Sequence, residues 1–168
     1  MRGDRVDAYK TIISKRDTRS YSDRPISDES LHRILQAGRM AGSAKNMQPC
    51  RFVVVQSAEK KQEVANCGDF AQQVPNAAVA IVVVIPNDGR EFDAGRAAQN
   101  MMLAAWSEGI TSCAVTMHDA GCARRVLRLP EGYRASIVIP FGYPPAEGLQ
   151  PGGAKRLPLE DVVHDETW

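Results

Sequence analysis

The 168-residue chain is 43% hydrophobic and 24% charged, a globular balance, and a single domain of this length buries about 70% of its unfolded surface. Its formal net charge is only +1, so it offers no broad footprint for nucleic acid or an anionic membrane, and a phosphate ligand has to be met locally. No stretch approaches the about 18 apolar residues of a membrane helix, and the polar start MRGDRVDAYK lacks the apolar run of a signal peptide. One domain over residues 1–168 in the cytoplasm is expected, where the Arg2-Gly3-Asp4 tripeptide has no adhesive use.

Val6, Tyr9, Ile12 and Ile13 recur at helical spacing and predict an amphipathic helix over Asp4 to Ser14. A charged turn follows, Lys15-Arg16-Asp17-Thr18-Arg19-Ser20-Tyr21, and then a DRP turn at Asp23 to Pro25. Ser27 suits the N-cap of a second helix whose apolar side holds Leu31, Ile34, Leu35, Gly38 and Met40. The stretch Ala41 to Val55 then runs from a polar loop into a strand at Arg51 to Gln56. Ser43, Lys45, Asn46 and Gln48 place hydroxyl, ammonium and amide groups within six residues of it, a set suited either to a polar heteroaromatic ligand or to a plain surface connection.

Ser57 predicts a short helix through Ala65 that ends near Gly68. The apolar run Ala77 to Ile85 predicts a strand buried on both faces. Asp93 is expected to cap a buried helix, DAGRAAQNMMLAAWSEG, stopped by Gly109. Ile110 to Val115 reads as a strand, His118 to Leu127 as a helix, Leu129 to Gly132 as a turn and Arg134 to Phe141 as a strand. Gly142 to Gly153 reads as an extended linker delivering a second cationic pair, Lys155-Arg156, before LPLEDVVHDETW. Four strands interspersed with about five helices imply a sheet covered by helices.

Several chemistries find no support in the sequence. Cys50, Cys67, Cys113 and Cys122 form no CxxC pair and no zinc spacing with histidines, so reduced thiols and no metal are expected. Neither GxGxxG after a strand nor GxxxxGK[ST] occurs, and there is no GxSxG elbow. His32, His118 and His164 are scattered, and none stands out as an acid or base.

Taken together, the basic turn at Lys15 to Tyr21, the loop GSAKNMQPxRF at Gly42 to Phe52 and the pair Lys155-Arg156 before LPLEDVVH resemble the FMN-dependent nitroreductase family. The helix AAQNMMLAAWSEGITSC and the segment LPEGYRASIVIPFGYP share the resemblance, which spans nearly the whole chain. It implies an α+β fold with a central, mainly antiparallel sheet flanked by helices, and an intertwined homodimer with an FMN site at each side of the interface. By position it assigns Lys15, Arg16 and Asp17 to the family's Arg-Arg-Ser, and Arg19 to the basic residue at the ribityl and pyrimidine edge. Lys155 and Arg156 join the phosphate clamp. Ser43, Ala44, Asn46 and Gln48 come from the partner subunit to the isoalloxazine and ribityl chain.

The same resemblance places the backbone of Ala114, Val115 and Thr116 near flavin N5, with no side chain in a catalytic role. Asp17 departs from the common serine and is expected to orient Arg16 or Arg19, or to accept from a ribityl hydroxyl. Cys50 stands where a tryptophan is usual. The implied activity is ping-pong hydride transfer from NADH or NADPH to the flavin and on to a nitroaromatic, quinone or similar small acceptor. A flavin-fragmenting, dimethylbenzimidazole-forming relative, a dehalogenating relative and a flavin-binding module without turnover are the alternatives on the same scaffold.

Overall fold

The computed structural model describes residues 7–149 and 155–168. Asp4 to Val6 of the expected first helix, the Arg2-Gly3-Asp4 tripeptide and the Gln150 to Gly153 end of the expected linker lie outside them. The described chain folds as α1 (Ala8–Ser14), α2 (Asp28–Arg39), β1 (Arg51–Val55), α3 (Ala58–Ala65), β2 (Val79–Pro86), α4 (Glu91–Trp106), β3 (Thr111–Ser112), β4 (Val115–Thr116), α5 (Ala120–Leu127) and β5 (Tyr133–Gly142). Among the described residues, no helix is long and apolar enough to cross a membrane.

The long apolar run becomes β2, the middle of the molecule. It pairs antiparallel with β1 on one side and β5 on the other, and β3 and β4 follow one another along the far edge of β5. Successive side chains of a strand point to opposite faces. Ala80, Val82 and Val84 enter a core built with Val64 of α3 and Ala123 of α5, while Val79, Ile81, Val83 and Ile85 meet Ile34 of α2 and Ala94, Ala98 and Met101 of α4. Burying each such Val or Ile stabilises the fold by about 1.5–3 kcal/mol, so both faces have to stay covered. The α+β, mainly antiparallel architecture is the one expected.

Local chemistry explains most helix ends. Ser27 and Ser57 cap α2 and α3 by accepting from Ser30 N and Lys60 N. Gly109, at φ +75°, takes the left-handed turn that stops the chain after α4. The tight α2–α4 contact needs Gly38, because a Cβ there would lie 2.8 Å from Met101 Cγ.

Elsewhere the structure differs from the sequence reading. Asp93 does not cap α4. The helix starts two residues earlier, and Asp93 lies in its first turn, buried, with Oδ2 3.4 Å from Arg90 Nη2. The strand expected over Ile110 to Val115 is two short pieces, because Cys113 and Ala114 leave the ladder between them. α5 begins at Ala120, since Asp119 accepts from Cys122 N and caps it there. Asn66 ends α3, and Gly68 instead gives room to Met117, whose Cε would lie 2.9 Å from a Cβ. Met40 is the C-cap of α2 and is exposed.

The expectation of four reduced cysteines is also corrected. Cys67 and Cys122 form a disulfide with Cα atoms 5.4 Å apart, while Cys50 and Cys113 are free. No local motif announces the pair, because 55 residues separate them and only the packing of α3 beside α5 brings them together. Asp119 N reinforces the junction by donating to Cys67 O at 3.1 Å. In denaturant titrations, reduction or Cys122→Ser is expected to lower the unfolding free energy by about 2–4 kcal/mol, and the variant should no longer respond to reductant.

Candidate functional site

The basic turn is stitched onto the end of the sheet. Thr18 N donates to Ser112 O at 3.1 Å, Asp17 bridges Ser112, and Ser22 N donates to Tyr143 O at 2.9 Å. Tyr21 lays its ring against Gly142, where a Cβ would approach its Cβ to 2.8 Å, and its hydroxyl donates to Thr18 O at 2.8 Å. Burial first, and then the neighbouring Cys113 and Asp17, push the Tyr21 phenol far above its ordinary range, with Arg19 opposing them. The phenol therefore remains a donor.

The polar groups of this turn are not equivalent. Lys15, its side chain 9% exposed, pairs with Asp17 and lies 3.6 Å from Met102 Sδ. Asp17 therefore has Lys15 as its ion-pair partner, and among the described residues no ion pair joins it to Arg16 or Arg19. Arg16 Nη1 donates to Ile13 O and Lys15 O at 2.8 and 3.0 Å, and the rest of its five-donor fork stays available. Arg19 is exposed and makes no hydrogen bond or ion pair among the described residues.

Beside Arg19 opens a cavity of about 460 Å³ lined by Phe70, Gln72, Gln73, the Cys113 to Thr116 segment and His118. That volume is in the range of small-molecule sites, about 300–1,000 Å³. Ala114 and Thr116 are exposed on this wall while Val115 turns into the core. Sequence reasoning missed Gln73. The residue is 6% exposed and lines the cavity, and its amide makes no hydrogen bond among the described residues, which leaves a donor and an acceptor open to a ligand. The available signal was a glutamine at a position flanked by the core residues Ala71 and Val74. Phe70 and His118 were also missed, and they touch edge to face with ring centres 5.7 Å apart.

The loop Gly42 to Gln48 is elsewhere on the chain. No residue lines both the Arg19 cavity and the cavity beside this loop. Ser43 Oγ accepts from Gln48 N at 2.8 Å and fixes the loop, in which Lys45, Asn46 and Gln48 all adopt positive φ near 50°. Non-glycine residues adopt that conformation rarely, at a cost of order 1–3 kcal/mol each. Ala44, Asn46 and Gln48 are exposed. Lys155 and Arg156 are likewise exposed at the start of the C-terminal segment, and among the described residues no ion pair joins them to the Lys15 to Arg19 turn.

Comparison with known proteins gives this arrangement a class. The nitroreductase family model matches residues 12–83 and 71–143, and the chain belongs to that family. An Archaeoglobus fulgidus protein that carries the name NADH dehydrogenase/NAD(P)H nitroreductase is 36% identical over 96% of this chain and 99% of its own. NADPH:FMN oxidoreductase of Vibrio harveyi, solved with NAD+, superposes at a TM-score of 0.86 with 28% identity, covering 96% of this chain and 77% of that one. A Desulfovibrio desulfuricans nitroreductase-type protein solved with FMN gives 0.81 and 28%, covering 98% and 99%. The fold is therefore nitroreductase-like.

Tyr21→Phe keeps the ring over Gly142 and removes one hydrogen bond, so a loss of about 1 kcal/mol is expected at neutral pH. The raised phenol pKa stabilises the fold below the unfolded value of about 10, and that contribution is lost as pH climbs above it. Unfolding free energies measured across pH 7 to 11 should accordingly fall less steeply above about pH 10 in Tyr21→Phe than in the parent.

Proposed function

We propose that this chain is an FMN-dependent NAD(P)H oxidoreductase acting as a homodimer, with the isoalloxazine seated in the cavity beside Arg19. The observation carrying this reading is a cavity lined together by Gln73, whose amide makes no hydrogen bond among the described residues, by the unpaired guanidinium of Arg19 and by the Ala114 to Thr116 segment. Such walls fit FMN. A uracil-like ring edge presents alternating donors and acceptors that an amide can meet on both counts, and arginine suits the electron-rich side of that ring. Bound there, FMN would supply two-electron chemistry between NADH or NADPH and a nitroaromatic, quinone or similar acceptor, as the relatives' names indicate for those proteins.

The chain's own residues have separate tasks. Arg19 stabilises negative charge that develops on the pyrimidine side, and Gln73 fixes the ring's orientation. Ala114, Val115 and Thr116 contribute backbone to the wall, where a peptide N–H stabilises charge without any side chain. Arg16, with donors to spare, and the exposed Lys155 and Arg156 are the cations for the phosphate, each charge-assisted bond being worth about 1.5–3 kcal/mol. Lys15 neutralises Asp17, which removes the repulsion a free carboxylate would exert there.

The dimer completes the site in this reading. Tyr9, Ile12 and Ile13 on α1, Met40 and Met47 about the loop, and Leu157, Leu159, Val162 and Val163 in the C-terminal segment are all more than half exposed. In the proposed dimer these bare apolar side chains, on three separate segments, are what the partner covers. That contact lets Ser43, Ala44, Asn46 and Gln48 of one subunit reach the flavin of the other.

The purified protein is expected to be a yellow dimer, or to take up added FMN, and to bleach under NADH or NADPH without oxygen. A protein that fails to bind FMN overturns the proposal. One that binds FMN but is not reduced is a binding module without turnover. Arg19→Ala and Gln73→Ala should each weaken FMN binding about tenfold or more in fluorescence titrations, and unchanged affinity would remove that residue from the site.

A further inference from the structure

The cavity beside Arg19 is lined by two stretches that arrive from different parts of the chain. One is Phe70, Gln72 and Gln73, between α3 and β2, and the other runs from Cys113 to His118. The first lies in neither helix nor strand, so no ladder fixes where it sits against the second. Among the described residues one hydrogen bond crosses between residues 66–78 and 113–122, from Asp119 N to Cys67 O at 3.1 Å. The Phe70 and His118 rings touch, and Ala71 and Val74 share a core with Val115 and Met117. Apolar contact of that kind is non-directional and sets no register.

The covalent link between the two stretches is the Cys67–Cys122 disulfide. Cys67 stands three residues before Phe70 and Cys122 four residues after His118. At about 3.8 Å per residue, at most about 11 Å of chain separates the bridge from Phe70 and about 15 Å separates it from His118. The two sulfurs differ in access. Cys67 is 2% exposed while Cys122 is half-buried, so an incoming thiolate reaches the Cys122 sulfur first. A thiol freed at Cys67 has an acceptor waiting, because its Sγ lies 3.4 Å from the Glu63 carbonyl oxygen. Neither the sheet nor the caps of α3 and α5 use the sulfurs, so opening the bridge leaves the framework in place and frees the cavity walls.

We propose that the Cys67–Cys122 bridge is a redox-controlled positioning element for this cavity. Closed, it holds the Gln73 wall against the Ala114 to Thr116 wall; opened, it lets the two separate and weakens their hold on the occupant. That the occupant is FMN rests on the flavin reading. The reductant is a small dithiol. One of its thiolates attacks the Cys122 sulfur, making a mixed disulfide and expelling the Cys67 thiolate, which takes up a proton. Its second thiolate then attacks the reductant's own sulfur in the mixed disulfide, and the released Cys122 thiolate is protonated. The protein gains two electrons and two protons, and the dithiol leaves as a disulfide.

Three forms of the full-length protein test this: the oxidised parent, the parent treated with dithiothreitol and freed of it without oxygen, and the double variant Cys67→Ala/Cys122→Ala. Thiol titration in denaturant should find only Cys50 and Cys113 free in the first form and all four cysteines free in the second. Circular dichroism should show all three folded. Hydrogen exchange over residues 70–73 and 113–118 is expected to be at least about fivefold faster in the second and third forms, at times too short for the β2 amides to exchange. In fluorescence titrations those two forms should bind FMN about tenfold more weakly than the oxidised parent, and dithiothreitol should leave the variant's affinity unchanged. Equal wall exchange in the oxidised and reduced parent overturns the proposal, as does equal FMN affinity, an open bridge before treatment or a closed one after it. A reduced parent that unfolds overturns it too, since the bridge would then staple the whole fold. If no form binds FMN, the flavin reading alone fails, because the exchange comparison still decides whether the bridge holds the walls.

Discussion

The antiparallel pairing of β2 with β5 is the constraint everything else obeys. Both faces of β2 are buried, so neither face of the sheet's centre can hold a polar ligand, and binding chemistry is driven to strand ends, edges and connections. β5 stays buried to its end at Gly142, and that end gives the basic turn its anchor through Tyr21. The broken edge of β3 and β4 does the rest. Where Cys113 and Ala114 leave the ladder, backbone is released beside Arg19 and becomes the wall of the cavity.

Charge in this region is organised by pairing more than by number. The turn holds three cations, yet Lys15 is committed to Asp17 and Arg16 is partly committed to the carbonyls ending α1. Arg19 alone is uncommitted, and it is the cation lining the cavity. A departure that looks unfavourable in sequence, an aspartate within a basic turn expected to meet a phosphate, becomes neutral once its partner Lys15 is identified. The overall charge of +1 carries no such information, since a local clamp of a few arginines is invisible in it.

What could be read in advance follows from how local each signal is. The strand at β2, the caps Ser27 and Ser57, the stop at Gly109 and the basic turn depend on residues a few positions apart, and all were legible. Asp93 was misread because an acidic residue in the first turn and one at the N-cap look alike until the preceding backbone is known. The Cys67–Cys122 pair and the idle amide of Gln73 depend on neighbours dozens of residues away, for which periodicity has no signature. The loop Gly42 to Gln48 was recognised for its composition, while its succession of positive φ angles at Lys45, Asn46 and Gln48 was not, because none of these residues is glycine.

That succession bears on the proposed division of the site between two chains. Three left-handed non-glycine residues in one loop are tolerable only where surrounding contacts over-determine the conformation. Within one chain the restraints are few: the Ser43 to Gln48 hydrogen bond, the grip of Arg51 on the Gln48 carbonyl at 2.8 Å, and the press of Arg96 on Gly42. The outer surface of the loop is bare, with Met47 73% exposed at its tip. In the proposed dimer the partner and its flavin supply the missing contacts, so loop order and cofactor binding become one equilibrium.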